Sequence, residues 1–341
     1  MDKIRLVHLD SLSCEAIFRI APNGDYVIIS QVGDVTEPAP LNRVHLFRSR
    51  DGGDSWSAGQ SILPEDGRAV YLTDVFVDGT DMYVFAQLHD GGFLNWDCVV
   101  LHSKDSGYTW ENCGKVPCFP DSFVFLRGAM RLHDGTILIA YQNYNVTKEE
   151  AQRLKREGKI IVHAEIPYVE TGAIFSKDGG KTFEKGQPFY VPLCKDGKRL
   201  WQWTEPTIVQ LSDESLAMLI RVNGSGHLWR SDSRDGGKTW SDPVMTDIPN
   251  PNNKPKLIGM RDGRIVLLNT PNSELGLRKR YPLEIWISSD DLKTFSYKHT
   301  VASMPGAYSY SDGVATADCK KILFAFEFNR HDIYFVEHTI G

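Results

Sequence analysis

One short turn motif recurs five times along the chain, and it limits the fold more than any other feature. The copies read SRDGGDSW from Ser49 to Trp56, SKDSGYTW from Ser103 to Trp110, SKDGGKTF from Ser176 to Phe183, SRDGGKTW from Ser233 to Trp240 and SSDDLKTF from Ser288 to Phe295. Self-similarity on this scale means one supersecondary unit stacked repeatedly, because a single unit cannot bury its own apolar face. The residue types have a physical reading. Ser and Asp side chains bond to backbone groups in a tight turn. Gly takes a backbone conformation that other residues resist. The terminal aromatic returns the chain to a strand and packs between neighbouring sheets. The fifth copy is degenerate, with Leu292 where Gly is expected.

The copies start 54, 73, 57 and 55 residues apart. A four-stranded propeller blade with its loops takes roughly 40 to 50 residues, so these units match blades with some extended loops. A period of about 55 divides 341 residues into six blades, one more than the motif count. The sixth is expected to combine residues 321–327 and 332–338 with an N-terminal strand, which closes the ring and hides its edges. The longest spacing contains TKEEAQRLKREG, with Thr147 and Glu150 as a capping box and Gly158 as a stop. It predicts a surface helix inserted in one blade loop. Elsewhere RLVHLD, DYVIIS, DMYVFAQL, TILIAYQ, LAMLIRV, RIVLLN and ILFAFEF read as short strands. No linker or composition shift divides the chain. The expectation is an all-β, six-bladed β-propeller of four-stranded antiparallel blades with a short inserted helix, one domain over residues 1–341.

Composition narrows the function. A net charge of −6 and a pI near 5.9 argue against nucleic acid as partner. No apolar run is long enough to cross a membrane. The start, MDKIRLVHLD, carries no apolar stretch of signal-peptide type, so compartment stays open between a cytoplasmic chain and one with its signal removed. The six cysteines form no zinc pattern, and free thiols are favoured over a Cys113–Cys118 pair. The ten histidines are scattered without metal-ligand spacing. No phosphate loop or serine elbow is present. No metal and no organic cofactor is expected.

With the repeats goes a second, ordered set of motifs: FRIAP near the N-terminus, TEP followed by LIR, an arginine before the last repeat, and SYSD after it. Together they resemble the sialidase superfamily, whose Asp-boxes the five repeats match, over essentially the whole chain. The resemblance implies a retaining exo-glycosidase acting on sialylated or other acidic glycans. It implies a triad of Arg19, Arg221 and Arg280, with Arg278 as competitor for the third place and Glu327 bracing the first. Three guanidiniums suit a ligand carboxylate, because each planar fork donates paired hydrogen bonds. Tyr310 is implied as nucleophile, with Tyr308 the alternative register, and Glu205 as the base that takes its proton. A phenol with an ordinary pKa of about 10 needs such a partner. The acid/base falls in GDVTEPAP: residue type favours Asp34, and counting back from the first repeat favours Glu37. The departure at FRIAP, where Ala21 separates Ile20 from Pro22, and the doubled acid loop motivate a different acidic sugar as the second reading. A noncatalytic glycan-binding propeller is the third. Phe93, Trp96, Trp201 and Trp203 lie in expected loops, where core packing is commoner than sugar stacking. The oligomeric state is not written in these motifs.

Overall fold

A computed structural model of the chain describes residues 2–63, 66–166, 168–192, 194–195, 198–199 and 203–341. Among them six antiparallel sheets stand around one axis. Blade 1 runs outward through Ser13–Ile20, Tyr26–Val32, Arg43–Ser49 and Gln60–Ser61. Blade 2 follows with Ala69–Asp78, Asp81–His89, Asp97–Ser103 and Glu111–Lys115. Blade 3 has Val124–Arg131, Ile137–Asn143 and Tyr168–Ser176, the last paired with both Glu184–Lys185 and Phe189–Pro192. Blade 4 comprises Pro206–Gln210, Leu216–Arg221, His227–Ser233 and Val244–Pro249. Blade 5 comprises Lys256–Gly259, Ile265–Asn269, Leu283–Ser288 and Tyr297–Ala302. Blade 6 holds Tyr308–Ala315, Lys321–Phe328 and Asp332–Thr339, and its outer strand is the N-terminal Lys3–Leu9, paired from Lys3 opposite Glu337 to Leu9 opposite Asp332. The ring closes as the sequence predicts. A small hairpin of Cys194–Lys195 and Lys198–Arg199 stands apart from the blades.

The core is six layers, one between each pair of neighbouring blades. Successive strand residues point to opposite faces, so Ile17 enters the layer shared with blade 2 while Phe18 enters the layer shared with blade 6. Val209 and Ile208 in blade 4 divide the same way. The turn motifs fasten these layers. In each one the Ser hydroxyl accepts a backbone N–H four residues on, and the Asp carboxylate holds the Ser or Thr ahead of the aromatic. The aromatics Trp56, Trp110, Phe183, Trp240 and Phe295 then pack into the layer facing the preceding blade.

The helix forms at Lys148–Arg156 in the loop between the second and third strands of blade 3. Thr147 caps it by accepting the Glu150 N–H at 3.1 Å. The reciprocal half of the expected box is replaced, because the Glu150 carboxylate turns to Arg153 instead. Ala151 and Leu154 bury against the layer between blades 2 and 3. No helix among the described residues is long and apolar enough to cross a membrane.

Candidate active site

The first strand of every blade runs along the axis, so its leading end and the trailing end of the second strand meet at one face. Regular alternation would aim the inner side chains into the apolar layers between blades. Bulges prevent that at four inner strands: between Cys14 and Ile17, Leu72 and Asp74, Arg127 and Met130, and Ser309 and Asp312. A bulge re-aims a side chain by adding a residue. Glu15 and Tyr310 sit in two of them with φ of +55° and +53°. Left-handed backbone costs a side-chain-bearing residue roughly 1–2 kcal/mol, and here it turns an acid and a phenol to the axis.

Tyr310 is the centre of the resulting cluster. Its hydroxyl donates to Glu205 Oε1 at 2.9 Å and accepts from Arg221 Nη1 at 3.0 Å. The same Arg221 nitrogen reaches Glu205 Oε2 at 2.6 Å, and Arg221 Nε is held by Asn223. Glu205 directly precedes the inner strand of blade 4 and Arg221 ends the strand beside it, so backbone pairing of Arg221 N with Glu205 O fixes the two together at 3.1 Å. Arg280 lies with its guanidinium 5.6 Å from the Tyr310 ring centre and donates to Ser309 Oγ and Asn252 O. Its Nε has no partner among the described residues. Glu205 is fully buried and Tyr310 is 7% exposed. Burial, aided by the Glu205 charge, pushes the Tyr310 phenol well above its ordinary range. Burial and Arg221 together lower Arg280.

Tyr308, the alternative register, packs into the layer between blades 5 and 6 against Phe326 and Phe328. Arg278 is exposed on the loop, whereas Arg280 is buried. Trp203 packs on Phe93, Phe125 and Tyr144, while Phe93 and Trp96 belong to the core. Trp201 and the Cys194 side chain fall outside the described residues, and Cys14, Cys98, Cys113, Cys118 and Cys319 are free thiols.

Arg19 departs from expectation. It stands four residues beyond Glu15 on the inner strand of blade 1, which places it roughly 10 Å or more further along the axis. There its guanidinium is saturated by Asp312 Oδ1 at 2.5 Å, Asp74 Oδ1 at 3.3 Å, Val75 O and Phe18 O. It therefore does not join Arg221 and Arg280, and the three do not form a triad. Glu327 does not brace it either. The Glu327 carboxylate accepts the Glu15 N–H at 2.9 Å, and its other oxygen has no partner among the described residues. Burial, then the nearby Glu15 charge, pushes Glu327 up to about 8.

The end of the strand that faces the site carries Glu15 instead of an arginine. Arg127 grips Glu15 with both terminal nitrogens, at 3.1 and 3.0 Å, and Lys254 adds a third contact at 2.7 Å. Tyr71 donates to Glu15 at 2.6 Å. Burial alone would raise Glu15, but Arg127 and Lys254 outweigh it and hold the carboxyl below its ordinary range. Arg127 also lies 3.7 Å from Glu205, which links the two groups. Sequence reasoning missed Glu15, Arg127 and Lys254. The available signal was a lone charge inside an apolar strand, as in SCEAIF and VFLRG. Four cations thus face three carboxyl groups, one of which is neutral near pH 7, so the site attracts an anion.

The acid loop lies at the same face. Asp34 turns back into its own loop and accepts the N–H groups of Val35 and Leu41. Glu37 reaches inward, pairs with Arg330 and accepts the Cys14 thiol at 3.3 Å, one residue from Glu15.

Comparison with known proteins agrees with this architecture. Residues 42–322 match the model of the BNR repeat-like domain. No curated protein matches the chain. The structure of the Hadza microbial sialidase Hz136 is similar, with a TM-score of 0.73 and 19% identity over 97% of this chain and 66% of that one. A protein of unknown function from Dyadobacter fermentans gives 0.72 and 14% over 99% and 98%. Trypanosoma rangeli sialidase, in complex with a 2,3-difluoro nononic acid, gives 0.68 and 15% over 97% and 54%. The chain thus spans about two thirds and about half of the two sialidase chains, and at these identities the likeness is one of fold. The family match covers most of the sequence, and the chain belongs to the BNR repeat-like domain family.

Proposed function

We propose that this propeller is a retaining glycoside hydrolase of the sialidase type that releases a terminal acidic sugar. The observation that carries the reading is the buried Tyr310–Glu205 hydrogen bond of 2.9 Å with Arg221 bonded to both partners. Tyr310 oxygen attacks the anomeric carbon as the bond to the departing oxygen breaks, and Glu205 takes the phenol proton. Such a partner is what an inert phenol needs. Tyrosine nucleophiles are a known exception to the two-carboxylate scheme. Arg221 and Arg280 hold the sugar carboxylate. In this reading Glu37 rather than Asp34 protonates the departing oxygen. Asp34 is bonded within its own loop, whereas Glu37 lies beside Cys14 and takes up the proton it delivers once released from Arg330. Glu37 then deprotonates the water that frees the sugar, and Tyr310 recovers its proton from Glu205.

The third arginine at the axis, Arg127, is bonded to Glu15 while Arg19 stands apart, and this favours a second substrate within the same mechanism. Glu15 stands at the site with Arg127 and Lys254 committed to it, so a uronic or ulosonic acid other than sialic acid is the variant reading. The test is a panel of fluorogenic acidic glycosides, with 2,3-difluoro sugars as traps. The expected result is turnover of at least one acidic glycoside, a loss of at least about a thousandfold in Tyr310→Phe, and a covalent adduct mapped to Tyr310. A panel that stays inert with no adduct supports the noncatalytic propeller instead.

A further inference from the structure

We infer that Asp2, His299 and His338 form a binding site for a borderline divalent cation, Zn2+ foremost, on the outer rim of the closing blades. The three come from separate places: Asp2 precedes the first strand, His299 lies in the outer strand of blade 5, and His338 lies in the third strand of blade 6. Asp2 Oδ2 is 2.8 Å from His299 Nε2, and Asp2 Oδ1 is 2.6 Å from His338 Nδ1. The candidate donor atoms all lie within 4.8 Å of one another, and the two imidazole centres are 4.5 Å apart. Tetrahedral Zn2+ with bonds of about 2.0–2.1 Å holds its ligands about 3.3 Å apart. Small side-chain shifts therefore convert this cluster into three ligands, with water in the fourth position.

A second feature is what a metal ligand requires. His338 is buried, and its far nitrogen, Nε2, lies 2.9 Å from the Tyr297 hydroxyl. Ligating histidines almost always engage their second nitrogen in such a contact, which fixes tautomer and ring orientation. Two imidazoles and one carboxylate suit Zn2+ and neighbouring first-row ions rather than Ca2+ or Mg2+. Binding displaces any proton on His338 Nδ1 and on His299 Nε2.

The location gives the ion a structural task. His338 is paired with Ile322, five residues along the strand from Glu327, so the cluster is roughly 17 Å from the level of the Tyr310 site. A bound ion would tie the N-terminal strand to blades 5 and 6, where the ring closes.

The experiment uses the full chain stripped with a chelator and titrated with Co2+, then Zn2+. The expected result is one Co2+ per chain with the visible absorption of a four-coordinate ion, displaced by one Zn2+, and a Tm raised by several degrees. His299→Ala and Asp2→Asn, both at half-buried positions, should fold and lose the absorption, and Tyr297→Phe should bind about 10- to 100-fold more weakly. Glycosidase turnover is not part of the readout, so the site stands or falls independently of the proposed activity. A wild-type chain that binds no stoichiometric Co2+, or variants that bind it equally well, would show a hydrogen-bonded Asp–His cluster and no metal site.

Discussion

At the scale of single residues, the site combines charges that are expensive to bury with partners that make burial tolerable. Arg127 and Glu15 are both almost fully buried. Removing one partner of such a pair strands the other charge, so Arg127→Ala should cost about 3–5 kcal/mol in urea unfolding. Glu327 makes the opposite case, because it is neutral where it stands. Its ordinary value of 4.5 rises to about 8 in the fold. Between those values the native chain keeps a proton that the unfolded chain has lost. Its contribution is therefore complete below pH 4.5 and disappears as pH climbs through 8. At about 1.4 kcal/mol per unit the effect amounts to a few kcal/mol. Unfolding free energies measured from pH 5 to 8 should fall in the wild type and fall less in Glu327→Gln; parallel curves would refute the assignment. Glu37→Gln tests the proton donor. Turnover of glycosides with poor leaving groups should drop about 100-fold or more, while aryl glycosides with acidic leaving groups keep most of theirs. Asp34→Asn should change neither.

At the scale of the element, the turn motif works as a backbone device more than as a glycine device. Asp291 and Leu292 take φ of +60° and +62° in the fifth copy, the same left-handed pair that Gly52 and Gly53 form in the first. The Ser288 hydroxyl still accepts the Leu292 N–H at 2.9 Å. The network tolerates the strain because the Leu292 side chain is buried against blades 4 and 5. In the first copy a Cβ on Gly53 would come within 2.3 Å of the Phe335 ring. Gly53→Ala should therefore lower Tm by several degrees, because an overpacked core costs about 1–3 kcal/mol. Leu292→Gly should also destabilise, since lost burial of about 1.5–3 kcal/mol exceeds the relief of left-handed strain. Calorimetry of the two variants checks both signs.

At the scale of the molecule, closure joins the beginning of the chain to its end. Deleting residues 2–9 removes the outer strand of blade 6 and leaves Asp332–Thr339 as an open edge. Such an edge invites pairing with another chain. The shortened protein should unfold several degrees lower and associate with rising concentration in light scattering. The repeats, their spacing and the strand patterns determined the six-bladed ring, the inserted helix and the N-terminal closure, because periodic turns and alternating side chains are local properties. Glu205 and Arg221 were marked as candidates by the ordered motifs, and one hairpin holds both, but their ion pair was seen only in the fold. Arg19 and Glu15 show the limit. Both lie in one short strand, and only the bulge after Cys14 and the height along the axis decide which of them faces Tyr310. The partners of that choice, Arg127, Lys254, Asp74 and Asp312, arrive from other blades, as do Asp2, His299 and His338. Contacts across a closed ring depend on which strand ends share a face, and that is fixed only when all the blades have packed.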